Sequence, residues 1–305
     1  MVKVLYISRD ESKWVFRGPH YFQQELARTV PVHFARESGP ISEILDRAPF
    51  TPDLIMLHMQ PLNEAPVVTG LDEVAIPKAM YVEDVHYRSK DLVHFARAND
   101  VRLVFCPYRE HFHRYLSDIA DRFRWLPHCV NPDVFRDYGL VKDIDLLMMG
   151  QIVANYYPVR KAMLERFSGR PGFVYHGHPG YGNVPDDDPR FFVGERYARE
   201  INRAKIFLTC GSKWHVPVAK YFEALACRSC LVAPGGADFP DLGFYDGETY
   251  VECTLDNFEE RATAMLASPK TRRRIARRGH DMVMERHTAR VRVREFLAAV
   301  EEALT

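Results

Sequence analysis

Short, almost wholly apolar runs recur along this chain with polar, helix-compatible stretches between them, and that alternation restricts the fold more than any other property. VKVLYIS, PVHFA, PDLIMLHM, IPKAMYVED, VRLVFCP and FRWLPHCV lie within the first 130 residues, with the helical stretches YFQQELART and REHFHRYLSD among them. A strand that is apolar on both faces must be covered on both, and helices between successive strands give that cover in a parallel sheet. NPDVFRDYGLVKD interrupts with Pro132, Gly139 and several polar residues, which marks a linker. The alternation then resumes with IDLLMMGQ, YYPVRKAMLERF, GFVYHG, RYAREINRA, KIFLTCG, CLVAP and TYVEC, and from Leu255 onward the chain reads as helix. The expectation is an α/β protein with two Rossmann-like domains facing across a cleft and a C-terminal helical tail. Residues 1–130 form the N-terminal domain, 131–142 the linker, 143–290 the second domain and 291–305 a terminal helix returning toward the first. Ligands of such sheets lie beyond the carboxyl ends of the strands, which suits an enzyme joining two substrates.

Composition removes several classes of function. At 305 residues and 47% hydrophobic the chain exceeds the size at which one core usually keeps growing. Lys plus Arg and Asp plus Glu each number 41, so no global field draws nucleic acid or an anionic membrane, and an anionic ligand has to be held by local groups. No stretch reaches a membrane-spanning length of apolar residues, and MVKVLYISRDESK lacks the apolar run of a signal peptide; the expected location is the cytoplasm. Six cysteines are scattered through apolar segments, as reduced cysteines are. Cys227 and Cys230 form a CxxC that closes a helix rather than opening one, without a second CxxC for zinc. Asp186, Asp187 and Asp188 sit between prolines in a loop, the HFH and HGH pairs lack a third ligand, and no metal is expected. RRRIARRG reads as a solvated helix face rather than a nucleic-acid site.

The most informative segment for chemistry is GSKWHVPVAKYFEALACRSCLVAP, Gly211 to Pro234. It reads as loop, helix and buried strand, with Lys220 and Glu223 three apart on one helical face. Helix starts and the loops before them offer unpaired N–H groups to a diphosphate, and a carboxylate one turn further in can accept both hydroxyls of a ribose. The same spacing also fits an amphipathic helix with a solvated ion pair, and the residues alone leave both readings open.

LPHCVNPDVF, IDLLMMGQ, KYFEALACRSCLVAP, YDGETYVEC and RRRIARRGHDMVMERHTARVRVREFL together resemble, in order and spacing, the GT-B glycosyltransferases of group 1, and within them the relatives of the CgeB spore-maturation protein. The likeness covers roughly residues 124 to 297. It implies retaining, metal-independent transfer of a hexosyl or related sugar, with a nucleotide diphosphate-sugar as co-substrate and no separate cofactor. The acceptor, whether glycan, lipid-linked, protein or small molecule, would lie on the N-terminal domain. Glu223 stands where the family's glutamate meets the donor ribose. His215 replaces the family's other glutamate, and Arg228 stands where glycine is usual.

Positive charge on the leaving diphosphate then falls to Lys220, to backbone amides near Gly150 and Gln151, and to Arg160. For base and ribose the resemblance points to His176, Gly177 and Val193. Past the strand ends of the N-terminal domain stand His58, a candidate for acceptor binding, and Asp84 with His86, which could orient an acceptor hydroxyl, while Asp84 equally suits capping of the next helix. Arg17 and Gly18, in the loop after the first strand, are further candidates for acceptor binding, in a loop that could also approach the donor phosphate. The expected activity is glycosyl transfer; a nucleotide-sugar epimerase of the same fold and a non-catalytic nucleotide-binding module are the competing readings.

Overall fold

The computed structural model describes residues 1–59 and 65–304. Two compact units divide the chain: one comprises Met1–Glu11, His20–Pro127 and the residues from Arg290 onward, the other Ser12–Pro19 and His128–Ala289.

In the first unit the apolar runs become β1 (Val4–Ile7), β2 (Val32–Ala35), β4 (Leu54–His58), β6 (Lys78–Tyr81), β7 (Val101–Cys106) and β8 (Phe123–Trp125). All pair in parallel, in the order β2-β1-β4-β6-β7-β8. Between them run α1 (Gly18–Thr29), α3 (Ser89–Ala98) and α4 (Arg109–Tyr115), together with the short β3 (Gly39–Pro40), α2 (Ile41–Arg47) and β5 (Val68–Thr69). The sequence reading marked neither the β3–β5 pair nor α2 and α3. Every residue of β1 and β4 is buried, as a sheet covered on both faces requires. Helix α10 (Ala289–Leu304) contributes Val293, Phe296 and Val300, spaced i, i+3, i+7, to the core around Tyr6, Met56 and Phe105. The Phe296 ring meets the edge of Phe22 at 5.6 Å and lies 4.9 Å from Phe105.

The second unit repeats the plan. β9 (Ile144–Gly150), β10 (Phe173–Gly177), β11 (Ala204–Leu208), β12 (Cys230–Ala233) and β13 (Val251–Glu252) form a parallel sheet in the order β10-β9-β11-β12-β13. Helices α5 (Pro158–Phe167), α6 (Gly194–Arg203), α7 (Ala219–Ala226), α8 (Phe258–Ala267) and α9 (Pro269–Arg286) complete it. Met148, Ile206, Leu208 and Val232 pack with Met163 and Phe167 of α5, Phe258 of α8 and Ile275 of α9. Residues 131–142, read as a linker, are fastened to this unit. The Tyr138 amide donates to Asn202 Oδ1 at 2.8 Å, Asn202 Nδ2 donates to the Arg136 carbonyl at 2.9 Å, and Lys142 Nζ donates to the carbonyls of Asn202 and Ala204. Residues 13–15 run antiparallel to 182–184, with Val15 N–H on the Gly182 carbonyl at 2.9 Å and Val184 N–H on that of Lys13 at 2.7 Å.

Cys227 and Cys230 are buried free thiols, and burial raises the pKa of both, to about 12 for Cys230. Arg228 between them adopts φ +56°, the left-handed conformation that commonly ends a helix and that glycine adopts without a Cβ penalty. No helix of the described residues is long and apolar enough to cross a membrane.

Candidate functional site

Parallel strands bring the loops at their carboxyl ends to one edge of the sheet, and in the second unit that edge collects most of the donor candidates. β9 ends at Gly150, whose φ of +119° suits glycine. A side chain there would place its Cβ 2.9 Å from Lys220 Cε and 3.4 Å from Arg160 Nη1. Gly150 therefore leaves the room that the lysine side chain fills. Tyr175 donates its hydroxyl to the Gly150 carbonyl at 2.9 Å, which fixes the turn.

Arg160, on α5, is buried. Its Nη1 donates to the Gln151 carbonyl at 2.7 Å, and its Nη2 to Thr209 Oγ1 at 3.1 Å and the Cys210 carbonyl at 3.0 Å, so the guanidinium ties the end of β9 to the end of β11. The Tyr157 ring stacks on it at 4.3 Å. Its Nε is buried with no hydrogen-bond partner. Arg160 thus shapes the turn at Gln151 more than it offers donors to a ligand.

Lys220 and Glu223 both lie on α7, but they do not form the ion pair that their spacing allows. The hydroxyl of Tyr197, on α6, donates to Glu223 Oε2 at 3.2 Å, and the carboxylate is buried. Burial raises the pKa of Glu223, with Lys220 and Tyr197 opposing the rise. Lys220 is half-buried and forms no hydrogen bond or ion pair among the described residues; its Nζ lies over the Tyr197 ring, 5.9 Å from the centroid. Burial lowers its pKa, Arg160 adds to the fall, and Glu223 opposes it.

His176 hydrogen-bonds through Nε2 to Glu200 Oε1 at 2.9 Å and meets the Phe192 ring in a tilted contact at 4.2 Å, while Gly177 beside it is exposed. Val193, buried, is the N-cap of α6. His178 escaped the sequence reading of the donor site. Its Nδ1 accepts the Gly180 amide at 3.0 Å, and burial, with Lys220 and Arg160 adding to it, lowers its pKa to about 4. Tyr197 was missed as well: it stands 26 residues from Glu223, and no local pattern links the two. His215 is exposed at φ +53°, a left-handed conformation uncommon outside glycine, and its carbonyl lies against Gly236. Among the described residues no group of three or more His, Cys, Asp or Glu is placed to hold a metal ion.

The first unit holds a second polar cluster, of different character. His58, buried at the end of β4, receives or donates a hydrogen bond at Nδ1 with the Tyr6 hydroxyl at 3.1 Å, lies 3.5 Å from Glu11 through Nε2 and stacks on Tyr81 at 5.1 Å. Gln23 Nε2 donates to Glu11 Oε2 at 3.3 Å, and Arg36 Nη2 to Gln23 Oε1 at 2.8 Å. Burial would raise the pKa of Glu11, but His58, Arg9 and Arg36 outweigh it and the net shift is downward. Tyr81 donates to Glu83 Oε1 at 2.8 Å; burial and the neighbouring Asp84 hold the Glu83 carboxyl up at about 7. His58 is thus wrapped by its neighbours, and Glu11, Tyr6 and Tyr81, none singled out from the sequence, are the partners that wrap it.

Asp84 is exposed and does not cap α3, whose N-cap residue is Arg88. His86, half-buried, hydrogen-bonds through Nδ1 to His111 Nε2 at 3.0 Å, and burial, with His86 adding to it, lowers the pKa of His111 to about 4. Arg17 and Gly18 cluster with the second unit. Arg17 is buried, paired with Asp186, and donates to the carbonyls of Val184 at 3.0 Å and Trp14 at 3.4 Å. Asp186 is therefore partnered rather than merely solvated, and Asp188 pairs with Arg190 at 2.7 Å.

Residues 160–298 match a family model described as glycosyl transferase-like. No curated protein matches the chain in sequence. Among solved structures, the chain is similar to sucrose-phosphate synthase from Thermosynechococcus elongatus, at 10% identity and a TM-score of 0.67 over 99% of each chain. It is similar to a glycosyltransferase from Rickettsia africae, at 10% identity and a TM-score of 0.63 over 100% of this chain and 99% of that one. A third likeness is to Anabaena HepE in complex with UDP and glucose, at 9% identity and a TM-score of 0.62 over 99% of this chain and 100% of the other. The chain therefore has the GT-B glycosyltransferase fold, with a glycosyl transferase-like match across most of its second unit.

Proposed function

We propose that this protein is a glycosyltransferase that takes its sugar from a nucleoside diphosphate donor held at the carboxyl edge of the second sheet. The observation that carries this reading is Lys220: a half-buried cation without a hydrogen bond or ion pair among the described residues, seated over a strand end where glycine makes the room. Glu223 offsets only part of the cost of holding a desolvated ammonium without a direct ion pair, and a diphosphate supplies one. As the sugar–phosphate bond breaks, negative charge grows on the leaving oxygen, so a cation fixed there is worth more in the transition state than in the ground state. Because Lys220 supplies that charge, transfer proceeds without a divalent cation in this reading.

Glu223 keeps Oε2 on Tyr197 and has Oε1 to accept ribose hydroxyls. The β9 turn at Gly150 and Gln151 adds amides for the phosphates, with Arg160 holding the turn. His176, Gly177 and Val193 line the approach to base and ribose, and His215 meets the sugar where the resembling family has a glutamate. Retention of configuration and the closer relation to CgeB-type enzymes rest on the motifs of residues 124–297. Asp84 and His86 are proposed to orient the acceptor. The structural neighbour carrying UDP makes uridine diphosphate the first donor nucleotide to try.

Calorimetry with UDP, GDP and dTDP tests the site, and incubation with the matching sugar nucleotides tests the chemistry. Binding of one diphosphate with slow nucleotide release supports the transferase. Interconverted sugar would instead mean an epimerase, and binding without turnover a non-catalytic module. Failure of all three nucleotides to bind would remove the donor site from this edge.

A further inference from the structure

Helix α9 carries Lys270, Arg273, Arg274, Arg277 and Arg278, all exposed, at the spacing i, i+3, i+4, i+7, i+8 that puts them on one face. None of the five forms an ion pair among the described residues; Arg274 donates to the Gly247 carbonyl at 3.4 Å. The opposite face, with Ile275, Ala276, Met282 and Val283, is buried. Arg272, also buried, spends its guanidinium on the carbonyls of Met265 and Leu266, so the stripe is distinct from the arginine that serves the fold.

The arrangement works against the helix. Like charges three and four residues apart repel, and cations in the first turns face the positive end of the helix dipole. The first turn of α9 holds no acidic residue, and its N-cap Ser268 makes no side-chain cap. Asp281 and Glu285 follow on the same face only after the five cations, and form no ion pair with them. In a chain of zero net charge, five unpaired cations on one exposed helix face call for an anionic partner outside the fold.

We propose that this face docks on an anionic lipid surface. The stripe is short and straight, about 12 Å from first to last cation at the rise of an α-helix. Lipid headgroups diffuse to meet charges wherever they stand, whereas a nucleic acid offers phosphates at fixed spacing and draws its affinity from many contacts along a longer track. Tyr245, half exposed, stands two residues from Gly247, whose carbonyl Arg274 contacts, and aromatic residues beside basic ones are characteristic of surfaces that rest at the headgroup level. This surface is separate from the donor residues, so its test does not depend on the proposed activity.

The full chain is sedimented with vesicles of phosphatidylcholine alone and of phosphatidylcholine with phosphatidylglycerol. Binding is expected only to the mixed vesicles, weakening as salt rises. Each cation near the surface contributes roughly fivefold in partition coefficient, so K270Q/R273Q/R277Q/R278Q should lower it by about a hundredfold or more. Lysine at the three arginine positions should retain binding, and circular dichroism with thermal unfolding checks that both variants fold. Absence of binding to anionic vesicles, an unaltered glutamine variant, or tighter binding to an RNA homopolymer than to vesicles would overturn the proposal. Should the glutamine variant fail to fold, the salt dependence of the unaltered protein decides the matter: salt-independent binding overturns it.

Discussion

The two units each gather a buried acid, a tyrosine and a base near strand ends, and they finish them differently. In the first, Glu11, His58, Tyr6, Gln23 and Arg36 satisfy one another in a closed network. In the second, Tyr197 holds one oxygen of Glu223, and Lys220 three residues earlier has no such partner. A network that closes on itself is worth stability and leaves little for a ligand. One left open costs stability until something binds, which is the signature to look for in an uncharacterised site.

Lys220→Ala tests that contrast most severely. If the lysine awaits a leaving diphosphate, kcat/KM should fall by roughly 10²-fold or more, as loss of one transition-state donor commonly does. Folding stability should hold or rise, because a desolvated, unpaired cation is removed. Activity within about threefold of the unaltered enzyme would place Lys220 among ordinary surface charges.

Glu223→Gln comes next. A charge-assisted hydrogen bond is worth about 1.5–3 kcal/mol, so the nucleotide Kd should rise roughly ten- to hundredfold, and by less for the 2′-deoxy nucleotide. Tyr197→Phe should give a smaller rise in the same direction, since the tyrosine orients the carboxylate without touching the ligand. Equal weakening of ribo- and deoxyribonucleotide by Glu223→Gln would show that the carboxylate does not read the ribose.

In the first unit the same kind of substitution should act on folding. Glu11→Gln leaves His58 and Arg36 with a weakened partner and should cost about 1–3 kcal/mol in chemical denaturation, with UDP affinity unchanged. The pH dependence separates its two acids. The folded pKa of Glu11 is depressed, so its contribution is present above the ordinary carboxyl value of 4.5 and is lost as pH falls through the folded value. The folded pKa of Glu83 is raised, so its contribution is full below 4.5 and is lost as pH rises toward 7. Glu83→Gln should therefore flatten the decline in stability between those values, and a decline that survives the substitution belongs to another group.

The strands were legible because apolar runs bounded by polar segments have few other ways to be buried, and the parallel order followed from the helices between them. Helix α2 was not, since seven residues carry little periodicity, and α3 was passed over although Leu92 and Ala96 mark a buried face one turn apart. Within the site, Lys220 and Glu223 could be found because one helix places them together. Tyr197, Glu11 and Tyr6 could not, because only the folded sheet brings them to their partners across 26, 47 and 52 residues. Arg17 shows the converse: a loop beside a glycine suggested substrate contact, whereas the guanidinium is spent on Asp186 and the Val184 carbonyl.

The smallest expected effect concerns Arg228, where the resembling family has glycine, and it asks whether that departure belongs to the site or to the scaffold. Its φ of +56° costs a residue with a Cβ about 1 kcal/mol relative to glycine. Its guanidinium returns part of that through Asp137 Oδ2 at 2.7 Å, a partly exposed pair worth about 0–1 kcal/mol. Arg228→Gly removes both terms and should leave stability unchanged or raised by up to about 1 kcal/mol. Arg228→Ala removes only the pair and should destabilise slightly, so the glycine variant should exceed the alanine variant by about 1 kcal/mol in denaturant midpoints converted at a common slope. Equal midpoints for the two would mean that no backbone cost resides there. UDP affinity should stay within about threefold in both variants, and a larger change would move Arg228 from the scaffold into the open network of the second unit.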